Sequence, residues 1–157
     1  MREPAEIVFL HLDNNNTYSN DDFVGLPKEI KRRPFQFKIL NAKEARRAMR
    51  YAGHQKWEPS ATEYCVPDDG INHLHDCDLW LVVSDRLPAL LLPTQPIILM
   101  IYDYLQRYVP FLIPDENQLF ISAARLADRV LVTTDFTKSD ALQYSGITPS
   151  KVCGYKY

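Results

Sequence analysis

Asp103 ends the run "IILMIYD", residues 97–103. Five apolar residues followed by Tyr102 and a carboxylate predict a buried strand that delivers a charged group to its carboxyl end. Polar groups follow three other apolar runs in the same way: Asp13-Asn14 after "EIVFLHL", Ser84-Asp85 in and after "DLWLVVS", and Thr133-Thr134 at the end of "VLVTT". A carboxylate on a rigid strand end can orient a hydroxyl and ease its proton away, or it can cap the following loop. Tyr102 offers a hydroxyl or a stacking face to a ligand. Arg107 and Tyr108 come next, and a guanidinium there can grip a phosphate or carboxylate bidentately or remain a solvated loop arginine. Thr134 and Lys138 flank a helix start, whose unpaired N–H groups favour an anion; the alternative is that Thr134 or Thr137 is only the N-cap. The loop Asp13 to Asn20, with Asn14, can reach a ligand but lacks the glycines that let a backbone approach a diphosphate.

The stretch "CVPDDGINHLHDC" holds Cys65, His73, His75 and Cys77, all zinc-type ligands. His73, His75 and Cys77 would share one side of an extended strand. There is no Cys-x-x-Cys clamp and the segment reads as a connecting loop, so no metal is expected.

The elements that must position these groups alternate along the chain. Strands are expected over 6–12, 35–40, 78–84, 96–103, 130–134 and the last "SKVCGY". Helices are expected after Asn41, which Glu44 completes as a capping box and Gly53 ends, over "DENQLFISAARLADR" with Asp115 as cap and Gln118 three residues on, and over "TKSDALQYSG", closed by Gly146. Residues 54–77, with Pro59, Pro67 and Gly70, read as irregular. Apolar strands alternating with amphipathic helices imply an α/β fold: a Rossmann-like, doubly wound, mostly parallel sheet with helices on both faces. Ligands of such sheets sit beyond the carboxyl ends of the strands, where these polar groups fall.

The chain of 157 residues fits a single domain, residues 1–157, and its apolar share of 46% supports a core. Net charge is −2, but nine basic residues between Lys28 and Arg50 face only Glu29 and Glu44, giving that stretch +7. Its helix carries Arg46, Arg47 and Arg50, which suit a solvated face or an anionic membrane surface. No aromatic residues interleave with them in the manner of a nucleic-acid site, and no nucleic-acid partner is expected. Three cysteines cannot all pair and no signal peptide is visible, so a cytoplasmic setting is expected. The apolar run 87–101 is interrupted by Pro88, Pro93 and Pro96 and is too short to span a bilayer.

Residues 78–151 resemble the N-terminal, acceptor-side domain of GT-B glycosyltransferases of the retaining, family 4 type. The motifs are "DLWLVVSD", "PIILMIYDYLQRYVP" and, the most specific of the three, "AARLADRVLVTTDFTKSDALQYSGITPSKV". The family's frequent His before the strand-end Asp is Tyr102 here, and its glycine-rich first loop reads "HLDNNNTYSNDDFVG". The resemblance implies a hexosyltransferase of polysaccharide synthesis. This domain would hold a carbohydrate or lipid-linked acceptor, with Asp103 as the catalytic carboxylate and Tyr102, Arg107, Asp85, Thr134, Lys138 and Asn14 around the acceptor. A second, C-terminal domain, not among these residues, would bind the nucleotide-sugar, so no cofactor is expected here and residues 1–157 alone should be inactive. Lipid-linked acceptors would bring the protein to the inner membrane face. A stand-alone module that binds a nucleotide or a protein without catalysis is the rival reading; the missing glycine-rich turn argues against a dinucleotide.

Overall fold

The computed structural model describes residues 5–13, 18–71, 75–83, 87–109 and 114–154, with 114–117 described by their backbone. The strands are β1 (Val8–Leu12), β2 (Lys31–Asn41), β3 (Glu63–Asp68), β4 (Trp80–Val82), β5 (Leu90–Leu91), β6 (Ile97–Ile101), β7 (Arg129–Val132) and β8 (Val152–Gly154). The helices are α1 (Ala42–Tyr51), α2 (Leu105–Tyr108), α3 (Pro114–Leu126) and α4 (Asp135–Gln143), with 3-10 turns at Asn20–Phe23 and Pro149–Lys151.

The strands form two four-stranded sheets, ordered β1-β2-β3-β5 and β4-β6-β7-β8. The second is parallel throughout. The first pairs β1 with β2 and β3 with β5 in parallel but β2 with β3 antiparallel. An α/β fold with mostly parallel pairing is therefore present, divided between two sheets. The buried apolar residues still form one cluster, running from Ala45 and Met49 of α1 through β3, β5 and β6 to α3 and β7.

In the parallel sheet β6 lies between β4 and β7, and its "IILMI" alternates. Ile97, Leu99 and Ile101 are buried with Trp80, Val130 and Val132, while Ile98 and Met100 are only half-buried. The register places Leu81 beside Ile98 and Met100 beside Leu131 on that second side. Leu79, Leu81 and Val83 are largely exposed. Two successive crossovers of one hand put α3 and α4 on the same side of the sheet. Ala123, Ala124, Ala127 and Ala141 of that side join the core. Helices on both faces, as the sequence predicts, are not seen for this sheet among the described residues: α1 packs instead on β2 and β3.

Local chemistry explains where the elements begin and end. Asn41 Oδ1 accepts from the N–H groups of Lys43 and Glu44, both at 3.0 Å, and Glu44 returns a bond to Asn41 N–H, the expected capping box. Gly53 follows α1 at φ 95°, a conformation that only glycine adopts at little cost. Three expectations need correction. Residues 54–77 are not wholly irregular, because β3 lies inside them; Pro67 is buried near the end of that strand, past the residues that pair with β5, where a missing N–H is tolerated. The strand expected at 35–40 extends from Lys31 to Asn41, since its first half pairs with β1 and its second with β3. Asp115 is not the cap of α3: the helix already includes Pro114, and proline at a first helical position needs no N–H partner.

Candidate functional site at the carboxyl edge of the parallel sheet

Strand β6 ends at Ile101, and the chain turns through Tyr102 and Asp103 into the single turn of α2. Asp103 is exposed, and its Oδ1 accepts from Leu105 N–H at 3.0 Å. The carboxylate therefore anchors α2 while facing solvent. Tyr102 is half exposed, and its carbonyl accepts from Thr137 Oγ1 at 3.1 Å. Thr134 caps α4, its Oγ1 accepting from Thr137 N–H at 3.0 Å. The ends of β6 and β7 are thus tied together through the first turn of α4.

A half-buried ion pair makes the second tie. Asp140 of α4 is 3% exposed, and its Oδ1 accepts from Arg107 Nη1 at 2.7 Å. The Tyr108 hydroxyl donates to the same carboxylate, 2.7 and 2.9 Å from its two oxygens. That bond, followed by burial, holds the Tyr108 phenol above its ordinary pKa, so it remains a donor. The Arg107 guanidinium carbon also lies 5.6 Å from the ring centres of both Tyr108 and Tyr144. Arg107 is therefore a paired group, not the solvated arginine of a loop. Below it Tyr104 is buried edge-on against Phe120 and Tyr144, and its hydroxyl oxygen accepts from Ser145 Oγ at 3.0 Å. Burial raises the pKa of that phenol too.

The edge thus gathers Tyr102, Asp103, Arg107 and Thr134, with Lys138 one turn further along α4. Asn14 and Asp85 lie outside the described residues. Asp13, next to Asn14, follows β1 in the other sheet, where its N–H donates to Phe35 O at 2.7 Å. Sequence reasoning missed Asp140 and Phe136, and considered Thr137 only as a cap. A signal for Asp140 existed: Thr137, Asp140, Ala141 and Tyr144 lie at helical spacing, so a carboxylate stands on the inner stripe of α4 and must find a cation or donors.

The most specific of the resembling motifs proves rich in scaffold ties. Asp128 Oδ2 accepts from Ile97 N–H at 2.9 Å while its own N–H donates to Ile97 O, fixing the start of β6. Lys151 Nζ donates to the carbonyls of Arg125 and Ala127 at 2.8 and 2.9 Å, closing the end of α3.

The other candidates lie elsewhere. Arg46 and Arg50 of α1 both pair with Glu58, at 2.7 and 3.7 Å, so part of the basic helix is neutralised. Arg47 lines a groove of about 320 Å³ with Lys38, Leu40, Ala48, Val66 and Leu92. Cys65 is buried on β3, its thiol donating to Ala89 O, and burial pushes its pKa up to about 11. Its thiol is protonated at neutral pH, and His73 lies outside the described residues. No three metal-type side chains converge among the described residues, and no helix there is long and apolar enough to cross a membrane. No family model matches the chain, and no curated protein or solved structure matches it either.

Proposed function

We propose that this chain is the acceptor-binding half of a GT-B glycosyltransferase. The whole enzyme moves a sugar from a nucleotide-sugar to a carbohydrate or lipid-linked acceptor. The observation that carries the reading is the exposed Asp103 at the carboxyl end of a buried parallel strand, beside partly exposed Tyr102, Arg107 and Tyr108. A carboxylate on such a support can orient an acceptor hydroxyl and draw its proton partway, and a rigid base is what makes orientation effective. The bond from Leu105 N–H holds one oxygen of Asp103 in a fixed direction. Tyr102 and Tyr108 supply ring faces and hydroxyls of the kind that sugars meet. The residues that hold the nucleotide-sugar belong to a second domain outside residues 1–157.

The test is transfer of labelled sugar from a nucleotide-sugar mixture. It compares the protein as its gene encodes it with residues 1–157 alone and with the encoded protein carrying Asp103→Asn. The reading expects acceptor-dependent transfer by the encoded protein and none by residues 1–157. Asp103→Asn should lower turnover by at least about tenfold, or about 1.4 kcal/mol of transition-state stabilisation. Turnover by residues 1–157 alone would refute the reading, and so would an encoded protein that neither transfers nor binds sugars.

A further inference from the structure

We propose that Tyr108 and Phe136 form a stacking platform for the ring of a neutral carbohydrate, held in place by the buried carboxylate of Asp140. The inference rests on the acceptor-side reading and adds the chemistry of the acceptor to it.

The two rings are open to solvent. Tyr108 is 52% and Phe136 66% exposed. Their centroids are 5.8 Å apart and their planes differ by 32°. Rings that pack to escape water commonly meet edge to face, as Tyr104 does with Phe120 at 65° and with Tyr144 at 88° in the core just below. The outer pair is instead tilted by only 32°, and both rings remain largely in water. A pyranose has an apolar C–H face and a rim of hydroxyls. Its face suits such rings, while its rim suits the polar groups of the same sheet edge, Asp103 and Thr134 among them.

The platform has to be held, because α2 is a single helical turn and cannot be stable alone. Asp140 does this from α4. It takes the Tyr108 hydroxyl and Arg107 Nη1 on one buried carboxylate, so the Tyr108 ring is fixed relative to Phe136 at the start of the same helix. The same contact sets the charge preference. Arg107 already faces a carboxylate oxygen at 2.7 Å, and the pair is neutral together. Asp103 adds a negative charge close by in sequence. A phosphate or carboxylate on the acceptor would compete with Asp140 for Arg107 and face Asp103 as well. A neutral sugar meets neither penalty. Asp140 is a positioning residue, and the rings make the contact.

The experiment titrates residues 1–157 with neutral trisaccharides (maltotriose, cellotriose and mannotriose). Glucose 1-phosphate and glucuronic acid are the anionic arm, and aromatic ring protons are followed by NMR. Phe136→Leu keeps an apolar side chain and removes the π face. Asp140→Asn keeps the size and weakens the hold on Tyr108. At least one neutral sugar should shift the Tyr108 and Phe136 ring signals. Phe136→Leu should weaken its binding by about fivefold, in the range of one aromatic contact. Asp140→Asn should weaken it as well and broaden the Tyr108 signals, whereas Phe136→Leu should leave them sharp. Binding within twofold of wild type in Phe136→Leu would overturn the platform and leave the acceptor reading standing. Tighter binding of the anionic arm would overturn the charge preference. If no sugar of either arm binds, the platform and the acceptor reading fall together.

Discussion

The two sheets of this molecule use their sequence in different ways. The parallel sheet, with α3 and α4, buries one face almost completely and stitches its carboxyl edge with buried side chains, Asp140 and Thr137. The mixed sheet shares the main core through β3 and β5, but its outer strands β1 and β2 are held more at the surface. Of the eleven residues of β2, none is fully buried. Arg33 of β2 grips Asp76 bidentately at 3.0 and 2.6 Å, Lys31 pairs with Glu6, and Arg32 lies 4.4 Å above the Phe23 ring. His11 and Phe9 complete that aromatic cluster around Phe23 outside the main core. The lesson concerns rigidity. A buried carboxylate between two helices fixes a geometry, whereas exposed charge pairs contribute about 0–1 kcal/mol each and hold positions loosely. A site that needs orientation belongs on the first kind of support.

The sharpest way to break this comparison is within the parallel sheet itself. Leu99→Ala, on its buried face, should cost about 2–5 kcal/mol of unfolding free energy in urea titrations. Leu81→Ala, on the open face, should cost less than about 1 kcal/mol, because Leu81 is 56% exposed. Similar losses at both sites would mean that the open face is covered in solution.

The mixed sheet is tested through Cys65. Its thiol keeps its proton in the fold up to about pH 11, above the ordinary thiol range. A raised pKa contributes stability that is complete below the unfolded value and is lost as pH rises through the folded one. Wild type should therefore lose about 1–2 kcal/mol more stability than Cys65→Ala as pH rises from about 9 toward 11. In thiol labelling at pH 8, Cys153, which is exposed, should react first and Cys65 only on unfolding. Rapid labelling of Cys65 in the native protein would show that β3 opens readily.

The smallest effect concerns the basic helix. Arg46 and Arg50 share Glu58, so a membrane face made by Arg46, Arg47 and Arg50 is weaker than its charge count implies. Changing all three to Gln should reduce sedimentation with anionic vesicles several-fold at low salt and little at high salt, at about 1 kcal/mol or less per residue. Equal sedimentation of both proteins would remove the membrane contact.

Much of the parallel half was legible in the sequence. Apolar runs bounded by polar residues mark β4, β6 and β7, and Asn41 and Thr134 announce their helices by capping chemistry that acts within three residues. What escaped reading depends on distance along the chain. Nothing near Pro67 says that β2 will pair with it, so a proline-bearing strand passed for a loop. Nothing near Arg107 points to a carboxylate that lies 33 residues away. The division into two sheets and the open face of one of them are likewise properties of packing, not of local pattern. Much of the resembling segment "AARLADRVLVTTDFTKSDALQYSGITPSKV" is scaffold, through Asp128, Thr134 and Lys151, so the resemblance speaks more directly of fold than of chemistry.

The central claim is that acceptors bind at the carboxyl edge of the parallel sheet. Its most direct measurement is a map of backbone amide shifts in residues 1–157 titrated with neutral oligosaccharides. The largest shifts should fall on residues 102–108 and 134–138, while the groove beside α1, with Lys38, Arg47 and Val66, stays silent. Shifts confined to that groove, or none at the edge at saturating sugar, would contradict it.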